Sequence, residues 1–213
     1  MSSSKHLELK GTHALLSPSS YSWINYTEDE QLISRLKSSY AQAIGTATHE
    51  LAADLITNRI RLNKSSRSIL QLHLTKAKIP DAVVDYDDIY PNLVNYVNDS
   101  ISMRMFAEEV LYYSDLCYGT VDAYCFRKGH LRIHDLKTGK LQAKMDQLEI
   151  YAALFCLQND IKPEAIDIDL RIYQFGDVTV YNPKGEDIRI IMDGIVAKDK
   201  FLSNYISRGG SDD

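Results

Sequence analysis

The chain's 213 residues, 45% hydrophobic and 25% charged, suffice for one soluble globular domain with an ample core and a helical elaboration. A formal net charge of -5 excludes a surface coated in positive charge, although nucleic acid stays within reach, because binding charge can be local and a metal site itself needs acidic residues. Three cysteines, Cys117, Cys125 and Cys156, form no Cys-x-x-Cys pair and are too few for a disulfide framework, which points to a reducing, cytoplasmic setting.

The first thirty residues lack an apolar signal core and no run approaches twenty apolar residues, so neither a secretion signal nor a membrane span is expected. Serines around Pro18 suit a helix cap, which predicts a short helix through Trp23, with the indole packed against the domain. From Glu28 to about Ile60 helical spacing dominates. Leu32, Ile33 and Leu36 recur at one face, and a second periodic run after Gly45 includes Ala47, Leu51, Ala52, Leu55 and Ile56. Consecutive residues on a helix diverge by about 100 degrees, so His49 and Glu50 cannot both aim at one ion. His49 is taken as the site-facing member and Glu50 as an outer partner.

Between Thr57 and Pro80 the basic residues Arg59, Arg61, Lys64, Arg67, Lys76 and Lys78 occur with no acidic residue among them. They suit phosphate contacts or, equally, a solvated face. Asp85, Asp87 and Asp88 precede a helical run through Ile101 and are read as its cap. Phe106 to Tyr113 reads as a strand, whose Glu108 or Glu109 would either approach the site or face solvent.

The stretch that concentrates chemistry is Tyr118 to Tyr151. Gly119-Thr120-Val121-Asp122-Ala123 sets a carboxylate in an apolar strand, Arg127-Lys128-Gly129-His130 reads as a hairpin turn, and Leu131 to Asp135 returns as an alternating strand. Asp122 and Asp135 then meet at adjacent positions. In the same strand Asp135 and Lys137 point one way while Leu136 turns to the core. A carboxylate beside an ammonium suits metal-dependent phosphodiester hydrolysis.

A helix over Lys144 to Leu157 places Gln147 and Tyr151 on one face. Beyond Pro163, Ala165 to Tyr173 alternates as a strand with Asp167, Asp169 and Arg171 on a solvated face. Val178 to Tyr181 adds another strand, an amphipathic segment from about Glu186 to Ile206 closes the fold, and the tail 207–213 is expected to be disordered. The elements together predict an α/β domain over 1–213, with a central mixed sheet of about four or five strands flanked by helices on both faces.

The ordered set Gly45-x-x-x-His49, Gly119-x-x-Asp122, Asp135-x-Lys137-Thr138-Gly139 and Gln147-x-x-x-Tyr151 resembles the PD-(D/E)XK nuclease superfamily, in particular its RecB-like, phage-type exonuclease branch, over roughly residues 45–155. The resemblance implies a restriction-endonuclease-like core in which His49, Asp122 and Asp135, with the backbone carbonyl of Leu136, bind Mg2+ or Mn2+. Lys137 is implied to be catalytic together with Asp122 and Asp135, and Gln147 and Tyr151 to touch DNA or brace the site. One branch holds an iron-sulfur cluster on one cysteine before the core and three after it; only Cys156 follows here, so no cluster is expected.

The implied activity is DNA exonuclease action in recombination or end processing. The alternatives are an endonuclease and a non-catalytic nucleic-acid-binding module. Arg59, Arg61, Lys64 and Arg67 would add DNA contacts, and Glu50 and Glu109 would stand behind the metal ligands. A single-strand annealing protein or a helicase fits as partner, in a bacterial or phage-infected cell, and related enzymes form homo-oligomers.

Overall fold

A computed structural model describes residues 13–209. The expected helix at Pro18 is a 3-10 segment, Pro18–Asn25, capped by Ser17, whose side chain accepts the Ser19 N–H; Trp23 is half-buried and donates to the Ser17 carbonyl at 3.0 Å. The two periodic runs that flank Gly45 form one continuous helix, α1 (Asp29–Thr57). Short helix α2 (Arg67–Lys76) follows, and then α3 (Tyr86–Met103), capped by the Asp85 carboxylate, which accepts from the Asp88 N–H. The acidic trio therefore begins a helix.

Five strands make one sheet in the order β1 (Phe106–Ser114), β2 (Cys117–Arg127), β3 (His130–Leu136), β4 (Asp167–Gln174) and β5 (Asp177–Tyr181). Neighbours are antiparallel except β3 and β4, which are parallel and joined through α4 (Asp146–Gln158). A parallel pair needs such a crossover, and a mixed sheet is the result. Helix α5 (Gly185–Ser207) ends the described fold.

Both faces are covered. On one, α1, α2 and α3 bury Leu51, Leu55, Leu70 and Leu93 against Ala123, Cys125 and Leu136; on the other, α4 and α5 bury Leu148, Phe155 and Ile188 against Leu131, Ile133 and Leu170. No described helix is long and apolar enough to cross a membrane.

Two expectations need correction. The tail does not begin at 207: α5 runs through Ser207 and Arg208 caps it, while 210–213 lie outside the described residues. Nor is the Asp169 and Arg171 face of β4 solvated, although Asp167 is exposed. Asp169 is 6% exposed and takes two bonds from the Arg171 guanidinium at 2.9 and 2.8 Å, because α3 lies over this part of the sheet. Tyr173 OH donates to Asp99 of α3 at 2.9 Å and lies 3.1 Å from His134 Nδ1. The hydroxyl proton is thereby used, so His134 Nδ1 must donate, which leaves Nε2 as a buried acceptor without a partner. Charged residues at alternate positions read as solvent-facing only where nothing polar packs above them.

Candidate metal centre

The hairpin β1–β2 changes sides midway. Ala107 and Ala123 pack toward α1 and α3, whereas Leu111 and Val121 pack toward α4, although the strands stay in register from Phe106↔Tyr124 to Tyr112↔Tyr118. Glu108, at a left-handed φ of 54°, marks the crossover. The register on either side places it opposite Asp122, and the β2–β3 register, continued one step beyond Ala123↔His134, places Asp122 beside Asp135. Three carboxylates thus fall in one row across three strands, two of them where the sheet changes sides.

Each is held differently. Asp122 Oδ2 accepts the Leu136 N–H at 2.9 Å and lies 3.3 Å from His49 Nδ1 of α1. Both oxygens of Asp135 lie 3.0 Å from Lys137 Nζ, but only Oδ1 is in hydrogen-bond geometry; Oδ2 is buried with no hydrogen-bond partner. Lys137 Nζ also donates to Gln147 of α4 at 3.1 Å.

Ligand atoms of His49, Glu108 and Asp122 all lie within 4.8 Å of one another. They open onto a cleft of about 800 Å³ that Glu50, Asp54 and His73 also line.

The protonation balance reflects the crowding. Burial and then the neighbouring Asp122 charge lift the Asp135 carboxyl to about 6, against the opposing pull of Lys137 and His49. Glu108 is raised by burial and then by Asp122. Burial alone would lower the His49 pKa, yet the bond and charge of Asp122, with the charges of Asp135 and Glu108, raise it above 6.5. A site that raises its carboxyls and its histidine together is short of positive charge. A divalent cation would supply that charge, and an oxygen-rich set with one imidazole suits a hard ion such as Mg2+ or Mn2+.

Two glycines let the helices close on this centre. A Cβ on Gly45 would stand 3.3 Å from Thr138 Oγ1, and one on Gly119 would stand 3.0 Å from the Tyr151 ring. Tyr151 OH donates to the Thr120 carbonyl. The loop after Lys137 is pinned as well, since Gln174 Nε2 donates to the carbonyls of Gly139 and Leu141.

A family model described as "Protein of unknown function (DUF2800)" matches residues 13–177. The chain belongs to that family. No match is found among curated proteins or among solved structures. In this DUF2800 chain the matched span contains the whole row of carboxylates, His49 and Lys137, and stops at the first residue of β5.

The structure brings together His49, Asp122, Asp135, Lys137, Gln147 and Tyr151, with Glu50 on the rim. It does not bring in Glu109. That side chain is exposed, its backbone pairs with Val121, and it lines a different cavity; the glutamate in the site is Glu108. The left-handed turn of backbone at Glu108 breaks strict alternation, and the cross-strand partner of Asp122 was the available signal. His73 on the rim carried no signal in its own spacing.

The four basic residues stand apart from the carboxylates. Arg61 donates to the Asn98 carbonyl and Ser102 Oγ, and Arg67 pairs with Asp87 at 2.7 Å and stacks over the Tyr86 ring, so both fasten the α1–α2 connection to α3. Lys64 is exposed in a 3-10 turn, and Arg59 follows the end of α1.

Proposed function

We propose that this chain is a metal-dependent nuclease of the PD-(D/E)XK type that hydrolyses phosphodiester bonds in DNA, acting as an exonuclease on ends. The observation that carries the reading is the pair of Asp135 on β3 and Lys137 just past its end, set directly beside an Asp122 that is fixed by the Leu136 N–H and faced by His49. Carboxylates in a row are costly in a fold with no chemistry to perform, because each raises the others' cost of ionisation. Here one of them keeps a buried oxygen without a hydrogen-bond partner.

His49, Glu108, Asp122 and Asp135 would hold Mg2+ or Mn2+, which when bound lowers the pKa of a water and offsets charge at the reacting phosphate. The remaining work falls to the chain. Lys137, held between Asp135 and Gln147, presents its ammonium to the attacking water and to the developing negative charge. Gln147 keeps that ammonium aimed, and Tyr151 braces β2 through the Thr120 carbonyl. Attack at phosphorus with departure of the 3′ oxygen leaves a 5′-phosphate and a 3′-hydroxyl.

The test is digestion of end-labelled linear duplex, single strands and covalently closed circles with Mg2+, Mn2+ or EDTA, comparing wild type with Lys137→Ala. Metal-dependent loss of linear DNA alone, absent from the variant, supports the exonuclease. Cutting of circles moves the chain to the endonucleases. No cleavage of any substrate leaves a nucleic-acid-binding module.

A further inference from the structure

Past Asp54 the seam between α1 and β1 changes sign. The acidic cleft is lined by Ala53 and Asp54 of α1 and Glu108 of β1. Ile56 and Thr57 of α1 and Phe106, Ala107 and Glu109 of β1 line a second cavity of about 400 Å³ together with Arg59, Arg104 and Arg127, three guanidiniums to one carboxylate. Arg59 follows α1, Arg104 caps α3 and Arg127 ends β2.

None of the three makes an ion pair among the described residues, whereas Arg67, Arg171 and Arg189 each face a carboxylate. Their one hydrogen bond here runs from the Arg127 guanidinium to the Arg104 carbonyl at 3.4 Å. Glu109, the one carboxylate lining the cavity, makes no ion pair with them among the described residues and offsets at most one of the three charges, so an anion with several oxygens satisfies the remaining planar donors. Two of them also sit where glycine would be easier, with φ of 57° at Arg59 and 53° at Arg104.

We infer that this arginine cavity is a backbone-phosphate site that holds the substrate strand to one side of the bond being cut. Its spacing follows from the helix: Thr57, the last residue of α1, lies eight residues beyond His49, about 12 Å along the axis, and Arg59 follows just past that end, a span of roughly three to four phosphates of a duplex strand. The cavity thus gives the strand a fixed direction across the carboxylates. That register rests on the nuclease reading; phosphate binding does not.

The experiment uses the full chain in a Lys137→Ala background with Mg2+, and measures fluorescence anisotropy of a labelled 20-nucleotide strand and its duplex over a range of salt. Arg104→Gly combined with Arg127→Gln should weaken binding at least tenfold and flatten the log–log salt slope by about two, near 0.9 per lost phosphate contact. Glycine accepts the left-handed backbone and keeps the carbonyl, so the melting temperature should hold. Arg104→Lys with Arg127→Lys should restore most of the slope.

In otherwise wild-type protein, hydrolysis of bis(p-nitrophenyl) phosphate, which has one phosphate, should be unaffected by the arginine changes, while KM for the 20-mer rises. Unchanged affinity and slope in a folded variant overturn the site even if cleavage is normal. Weakened binding without any hydrolysis by the wild type upholds the site and removes the nuclease.

Discussion

Asp122 Oδ2 accepts the Leu136 N–H at 2.9 Å, which ties the carboxylate of β2 to the residue lying between Asp135 and Lys137. A backbone donor inside a strand cannot swing away, so the carboxylate position is set by the sheet itself. Asp122→Asn keeps an acceptor for that N–H and removes the charge. It should fold like the wild type and lose metal-dependent cleavage by two orders of magnitude or more. Asp122→Ala should lose cleavage as fully and in addition about 1 kcal/mol of stability, since a part-buried N–H is left unmet. Paired melting curves and nuclease assays separate the two effects.

Asp135→Ala isolates the chemistry in another way. Lys137 is partly exposed and has Gln147 as a second partner, so loss of Asp135 leaves no stranded buried charge. Cleavage should vanish while the folded state persists. Full activity in this variant would sink the nuclease assignment.

Metal binding should involve Glu108 and leave Glu109 aside, because only the former lies within ligand distance of His49 and Asp122. A bound ion stabilises the folded state by about 2.7 kcal/mol at one hundred times its Kd. Mn2+ should therefore raise the melting temperature of the wild type and of Glu109→Gln. Glu108→Gln and His49→Ala should show a much smaller rise. An equal rise in Glu108→Gln would place the ion elsewhere.

The contrast between these glutamates shows what the sequence carries. Alternation gave the strands and the Asp135–Lys137 pairing, because side-chain direction there follows from a period of two. It failed at Glu108, where one left-handed residue turns the hairpin from one face of the sheet to the other without shifting the register. Periodicity likewise gave α1 but not its continuity, since Gly45 resembles a break and instead clears space for Thr138. The Asp169 and Arg171 face was misread for a related reason. Which helix lies over a strand depends on tertiary packing, and no local pattern announces α3 above β4.

Gly119 offers a test of how closely α4 must approach the site. A Cβ there would stand 3.0 Å from Tyr151 Cε1, so Gly119→Val should push the ring off the Thr120 carbonyl and cost about 1–3 kcal/mol in overpacking. Tyr151→Phe, which removes only the hydroxyl, should cost about 1 kcal/mol. If the two variants melt alike, the close approach of ring and strand is not what holds α4 in place.

Acid should loosen the fold through His134. Burial, aided by the Arg171 charge, lowers its pKa to about 3 from the ordinary 6.5. Below about 6.5 the unfolded chain takes up a proton that the folded chain refuses until about 3, so stability declines as pH falls through that window, approaching about 1.4 kcal/mol per pH unit. Asp169 acts lower down. Burial pushes its carboxyl up, but the Arg171 bonds and the Arg171 and Arg132 charges outweigh it and hold the pKa below 3.8. Its contribution is present above the unfolded value and lost as pH falls through the lower folded one. Urea midpoints measured from pH 7 to pH 3 should therefore drop steadily in the wild type, and more gently between pH 6 and 4 in His134→Asn. Asp169→Asn should be the weaker protein at pH 7, by an amount that shrinks toward pH 3. A His134→Asn profile as steep as the wild type's would assign the acid sensitivity to other groups.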